Sequence, residues 1–192
     1  VHGTHEAITS RWRGNFVPAS QAWLDPAGGT TTPNDCDGHG THTVGTMVGR
    51  NATDTIGVAP DAQWIAAKTI CSGTSLTNHT AAFQWAMNPD GNPSTVTDIP
   101  DAINNSWYDP DATNECTGPY KQLFDAMEAV GIAVVFSAGN SGPNASTITK
   151  PKNINTNEVS IWTTGAIDGA LYLGGNQNPI ASFSSRGPST CG

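Results

Sequence analysis

The stretch Asp37-Gly38-His39-Gly40-Thr41-His42-Thr43-Val44-Gly45-Thr46-Met47-Val48-Gly49 decides how this chain is to be read. A polar, Gly-rich turn runs directly into small and apolar residues at helical spacing. Each glycine inside a helix costs about 1 kcal/mol against alanine. Glycines kept there predict close approach of neighbouring backbone. His39 falls on the first turn and His42 one turn on, roughly on the same face. A helix N-terminus disfavours an imidazolium, which suits a base that must start neutral.

Other chemistries compete for these histidines. A histidine is more often a structural or solvated residue than a catalytic one. Two of them at i, i+3 also match a metal ligand pair. The chain repeats the tetrapeptide, with His2-Gly3-Thr4-His5 preceding His39-Gly40-Thr41-His42. Four histidines could serve a zinc site, but structural zinc usually recruits cysteine and no HExxH occurs, so no metal ligand is assigned. The flanks separate the two copies. Only the second has Asp-x-Gly before it and the small-residue helix after it.

Working outward, 192 residues amount to one domain, 1–192, long enough to bury a substantial core. The net charge of -8 with only 12% charged residues argues against nucleic acid and anionic membrane surfaces as partners. No apolar run reaches transmembrane length. The chain opens at Val1 without a signal segment and reads as a mature form or a fragment. Cys36, Cys71, Cys116 and Cys191 contain no CxxC and are compatible with two disulfides in any of three connectivities. Sequons stand at Asn51, Asn78, Asn104 and Asn144. With scarce lysine and an even cysteine count, these features predict an extracellular, secreted setting.

Along the chain, residues 1–35 read as irregular, with a short extended piece at 11–17. Strands are expected at 63–70, 101–107, 132–136 and 159–167, and helices at 77–87 and 119–130. The continuous apolar run 132–136 predicts a strand buried on both faces. Strand–helix alternation implies a parallel sheet. Ligands of such sheets bind beyond the carboxyl ends of the strands. Residues Ser106, Trp107 and the Ser137-Ala138-Gly139-Asn140 run leave the expected strands at that edge.

A second stretch, Phe136-Ser137-Ala138-Gly139-Asn140-Ser141-Gly142-Pro143, breaks a buried strand into small and polar residues. On its own it reads as a turn, but an Asn amide there can also donate to a developing oxyanion. Together with the histidine stretch and Ala181-Ser182-Phe183-Ser184-Ser185-Arg186-Gly187-Pro188, it resembles the subtilisin-like serine proteases, with the motifs in the family's order. Asn104-Asn105-Ser106-Trp107 is most similar to the bacillopeptidase-F-like members.

The resemblance implies a subtilisin-like three-layer α/β fold with a mostly parallel central sheet, truncated at both ends. It implies a serine endopeptidase acting on extended polypeptides, a monomer with no organic cofactor. His39 would be the general base, His42 a packed structural residue, and Asn140 the oxyanion donor. Ser106, Trp107 and Tyr108 would border the substrate, with Tyr108-Asp109 forming a bulkier acidic lip where the family usually has glycines. Ser137, Ala138 and Gly139 would wall the primary pocket. The layout also implies a Cys36–Cys71 disulfide; Cys116 and Cys191 would then remain, and their pairing is left open. Calcium is a family habit, and the loop at 51–54 is a candidate without an assigned ligand set.

The catalytic Asp and Ser segments are expected outside this stretch of chain. Residues 1–8 are similar to the segment directly after the family's Asp, and the nucleophile motif would come beyond Pro188. Gly73-Thr74-Ser75-Leu76 mimics that motif but stands in the wrong order. The 192 residues alone are therefore expected to be inactive. The rival reading is a non-catalytic protease-like module that binds peptides through the same cleft.

Overall fold

The structure, a computed structural model, describes residues 1–71, 75–156 and 161–191. Gly73 and Thr74 of the nucleophile mimic, and Val159 and Ser160 of the expected strand at 159–167, lie outside the described residues. By its internal contacts the chain divides into two compact units, Val1–Pro100 and Asp101–Gly192.

The first unit opens with three 3-10 turns, Thr9–Arg11, Arg13–Asn15 and Ala19–Gln21. The extended piece expected at 11–17 is thus mostly turn; only Trp12 bridges to Trp64. Next along the chain are strand β1 (Trp23–Leu24), helix α1 (His39–Val48), strand β2 (Ala66–Ala67) and helix α2 (Leu76–Ala86). The strands β1 and β2 pair in parallel, Trp23 with Ala66 and Leu24 with Ala67. The expected strand at 63–70 shrinks to this pair because its partner chain turns away on both sides, leaving single bonds such as Lys68 N to Leu24 O at 2.8 Å.

Val44 and Val48 lie at i, i+4 on α1, so both face inward. They pack with Ile8 and Trp64 into one cluster, flanked by Trp12, Met47 and Ala66. Burial of each such side chain contributes about 1.5–3 kcal/mol. The Trp64 indole donates to Ile8 O at 2.9 Å, so its polar edge is satisfied inside the core. Helix α2 starts at Ser75, whose side chain accepts from Asn78 N at 3.1 Å. It buries His79, Ala82, Phe83 and Ala86. Trp85 sits at the edge of the buried face and its indole donates to Ser20 O at 3.0 Å.

The second unit holds strand β3 (Ala102–Asn105), helix α3 (Pro119–Ala129), strand β4 (Ala133–Ser137), strand β5 (Trp162–Thr164) and helix α4 (Gly169–Leu173). The sheet order is β3-β4-β5, all parallel, with Asn105 opposite Phe136 and Ser137 opposite Thr164. Pro119 occupies the first turn of α3, where its missing N–H is no loss. Tyr120, Leu123, Phe124 and Met127 form the buried stripe, while Val130 is exposed just beyond the helix. Ring contacts link Phe124 to Phe136 at 5.6 Å and Phe136 to Trp107 at 5.2 Å.

Strand β4 is buried on one face, not two. Val134 and Phe136 are buried, whereas Ala133 is exposed and Val135 half-buried. Within this unit α3 covers the side bearing Phe136, and the opposite side of the strand has no equivalent helix among the described residues. Helix α4 is not legible as a helix in the sequence; it begins at Asp168, which accepts from Ala170 N and Leu171 N at 3.0 and 3.1 Å.

Both units are stapled. Cys36 bonds Cys71, with Cα atoms 5.9 Å apart, as the resemblance implies. Cys116 and Cys191, whose pairing the sequence leaves open, form a second bridge at a Cα distance of 5.2 Å.

Candidate active site

His39 is the first residue of α1, and the chain around it is held by side chains that the helix itself does not supply. Gly38, the N-cap, has φ +88°, a conformation that leaves it without a capping side chain. Asp35 takes over. Its carboxylate accepts from Gly38 N at 3.0 Å, Thr41 N at 2.9 Å and the Thr41 hydroxyl. Burial would raise its pKa, but the Thr41 and Gly38 hydrogen bonds dominate and hold it well below the usual carboxylate range. Asp37 accepts from His39 N at 2.9 Å. With Cys36 tied to Cys71, the turn that presents His39 is fixed at three successive residues. The imidazole itself is exposed.

His42 departs from expectation. It is exposed and, with His2 and His5, borders an open hollow of about 770 Å³ in the first unit. The two His-Gly-Thr-His copies meet here, His2 N donating to Thr41 Oγ1 at 2.7 Å. The histidines do not converge on a metal: among the described residues no histidine joins a cluster of three ligand atoms. His5 Nδ1 already accepts from Ala7 N at 3.2 Å. The helix glycines also differ from expectation. A Cβ on Gly40 would lie 3.2 Å from Val1 N, a close approach, but one on Gly45 would meet nothing within 4 Å.

In the second unit, β3 and β4 end side by side, so Ser106, Trp107 and the run from Ser137 to Asn140 emerge at the same sheet edge. Ala138 is buried and its N–H donates to Thr164 O at 2.8 Å. Gly139 has φ +107°, which reverses the chain immediately before Asn140. Segment 181–188 braces this reversal. Ser185 N donates to Gly139 O at 3.0 Å, Ser141 N donates to Ser185 Oγ at 3.1 Å, and Gly142 N donates to Phe183 O at 2.8 Å. The Asn140 side chain is exposed, and among the described residues nothing engages its amide. An unengaged amide donor on a braced turn past the end of a strand is suited to holding a developing negative oxygen.

The other border residues behave differently from one another. Trp107 leans back onto Phe136 and Tyr120, and its indole donates to Asn105 Oδ1 at 3.1 Å. Ser106 Oγ accepts from Asn104 Nδ2 at 3.1 Å. Tyr108 is exposed at the surface. The acidic lip expected at 108–109 is not formed: Asp109 is buried and accepts the Tyr120 hydroxyl at 2.6 Å and Asp111 N at 3.0 Å. Burial, aided by Asp109, pushes the Tyr120 hydroxyl pKa up.

Sequence reasoning missed Asp35, Ser184 and Ser185, and Lys152. Asp35 gave no signal because it lies outside the usual capping spacing. Ser184 and Ser185 are buried in the brace, Ser184 Oγ accepting from Ala166 N at 3.0 Å. At the calcium candidate 51–54, the Asn51 side-chain oxygen is occupied within the loop. Asn51 Oδ1 already accepts from Thr53 N at 2.9 Å, the Thr53 hydroxyl at 3.1 Å and Asp54 N at 2.8 Å. The clusters Asp35, Cys36, Cys71 and Glu115, Cys116, Cys191 are not metal sites, since their sulfurs are spent in disulfides.

Comparisons with known proteins show the family of the chain. The sequence profile of the Subtilase family matches residues 3–191. The chain is 33% identical over 207 residues to Bacillopeptidase F of Bacillus subtilis (strain 168), covering 98% of this chain and 13% of that protein. It is 33% identical over 175 residues to Serine protease AprX of the same organism, covering 84% and 37% respectively. Among solved structures, Sphericase superposes with a TM-score of 0.65 at 25% identity, covering 96% of this chain and 58% of its own. The chain thus spans well under two thirds of these relatives. With its histidine helix, its braced Asn loop and a family match over nearly its whole length, the chain belongs to the subtilase family.

Proposed function

We propose that the protein of which this chain is part is a secreted serine endopeptidase that cleaves extended polypeptides, with 1–192 contributing to a single catalytic domain. His39 acts as general base for a serine supplied from beyond this chain. Asn140 donates to the oxyanion, Ser137, Ala138 and Gly139 wall the primary pocket, and Ser106, Trp107 and Tyr108 border the upstream subsites. The observation that carries the reading is the pairing of exposure with restraint. His39 and Asn140 are both exposed, yet each stands on a chain reversal held by several hydrogen bonds and without an engaged side-chain partner of its own among the described residues. Structural polar residues are usually engaged; groups awaiting a substrate are not. The two disulfides accord with an oxidising compartment. No helix among the described residues is long and apolar enough to cross a membrane.

The test is steady-state hydrolysis of peptide substrates by the full-length protein and two variants. His39→Ala should abolish turnover, since a serine without its base is inert. Asn140→Ala should lower kcat by roughly 10²–10³ with little change in KM, the magnitude known for this donor type in subtilisin itself. Peptide binding without any cleavage by the wild type would establish the rival reading, a non-catalytic peptide-binding module.

A further inference from the structure

Lys152 is a nearly buried residue whose ammonium makes no hydrogen bond or ion pair among the described residues. It is 4% exposed. Among the described residues, ion pairs engage Val1, Arg11, Arg50 and Lys68, and none engages Lys152. Its neighbour Lys150, by contrast, donates to Ala112 O at 2.8 Å, and Arg186 is spent on Ser184 O and Ala181 O at 3.1 and 3.3 Å. Burial alone pushes the Lys152 pKa down, with no opposing charge to restore it. A lone buried ammonium is a costly arrangement, and its cost is relieved when an anion arrives.

Its position gives that anion a source. A Cβ placed on Gly139 would stand 3.2 Å from Lys152 Nζ and 3.0 Å from Ser185 Oγ. The ammonium therefore lies directly against the Gly139 backbone, one residue before Asn140. Glycine leaves open the space that any other residue at 139 would fill. Ser185 Oγ, beside it, accepts from Ser141 N, and its hydroxyl hydrogen is available to a second acceptor. A cation and a hydroxyl donor thus converge on one small volume next to the loop that would hold the oxyanion.

We propose that Lys152 sets primary specificity, selecting peptides whose residue on the acyl side of the scissile bond carries a carboxylate. This rests on the reading above, that Ser137, Ala138 and Gly139 wall the primary pocket. A glutamate or aspartate side chain entering past Gly139 would pair with Lys152 Nζ and accept from Ser185 Oγ. A neutral side chain would leave the ammonium buried and uncompensated.

The test compares peptide p-nitroanilides that differ only in Glu against Gln, or Asp against Asn, before the scissile bond, using the full-length protein. Glu should exceed Gln in kcat/KM by roughly 10- to 100-fold, the scale of one charge-assisted hydrogen bond in a desolvated site. Lys152→Met keeps the length of the side chain and removes the charge; it should bring the Glu-to-Gln ratio of kcat/KM down to about 1. Lys152→Arg, which retains charge, should keep part of it. Turnover without an acid preference, or a preference that survives in Lys152→Met, overturns this inference and leaves the endopeptidase reading standing. If no peptide is cleaved, that reading fails, and calorimetric binding of acetyl-Ala-Ala-Pro-Glu against acetyl-Ala-Ala-Pro-Gln still decides the inference. Tighter binding of the Glu peptide that disappears in Lys152→Met upholds it; equal binding, or none at millimolar peptide, overturns it.

Discussion

Asp35→Ala should destabilise the protein by about 2–3 kcal/mol, although residue 35 belongs to no helix or strand. The N-cap of helix α1 is Gly38, which has no side chain to cap it. Asp35 accepts two N–H groups at this helix start, Gly38 N at 3.0 Å and Thr41 N at 2.9 Å, and also the Thr41 hydroxyl. Loss of an ordinary N-cap costs about 0.5–2 kcal/mol. Hydrogen bonds to a charged acceptor are worth about 1.5–3 kcal/mol, and alanine leaves all of these donors unpaired together. The terms overlap, so about 2–3 kcal/mol is the expected loss, or roughly 4–12 °C in Tm for a domain of this size.

The pH dependence has a definite sign. Burial acts to raise the folded pKa of Asp35, but the Thr41 and Gly38 hydrogen bonds outweigh it and the net shift is downward. Its contribution is therefore complete above the unfolded carboxylate value, about 3.9, and is lost as pH falls below it toward the folded pKa. Urea unfolding of wild type and Asp35→Ala from pH 7 to pH 2.5 should show a constant gap down to about pH 5, narrowing below about pH 4. Hydrogen exchange at Gly38 and Thr41 should accelerate in the variant. Equal midpoints at pH 7, or a gap that widens on acidification, would refute the reasoning.

The staples and the buried acid give two further expected outcomes. Replacing Cys36 and Cys71 together by Ser opens a loop of 35 residues and should cost about 3.8 kcal/mol in the chain-entropy account, against about 4.5 for the 75-residue loop of Cys116 and Cys191; chemical unfolding of the two double variants measures the order. Tyr120→Phe removes the hydroxyl that donates to buried Asp109 at 2.6 Å and should cost about 1–3 kcal/mol, with Asp109→Asn partly restoring it in a double-mutant cycle.

Much of this protein is legible in its sequence because the signals are local. The 3.6-residue spacing of Leu123, Phe124 and Met127 after Pro119 marks α3 to within a residue of its observed ends. The histidine helix, the helix ending in Ala86 and the alternation that makes a parallel sheet are read the same way, from period and punctuation. So are the motif residues His39 and Asn140, since a helix start and a strand end each carry their own residue types.

What only tertiary structure decided is which distant groups meet. The brace of Phe183 and Ser185 on the Asn140 loop joins residues more than 40 positions apart, as in the 44-residue separation of Ser141 and Ser185. Cys116 and Cys191 find each other across 75 residues. Asp109 looks like an exposed acid next to a tyrosine in sequence, but becomes a buried acceptor because α3 brings Tyr120 over it. Lys152 reads as one more surface lysine until the chain buries it against Gly139. Period and propensity act over one or two turns of chain, so they cannot report such meetings. Burial and pairing are properties of the folded neighbourhood, and they decide whether a charged residue is solvated, satisfied, or left waiting for a ligand.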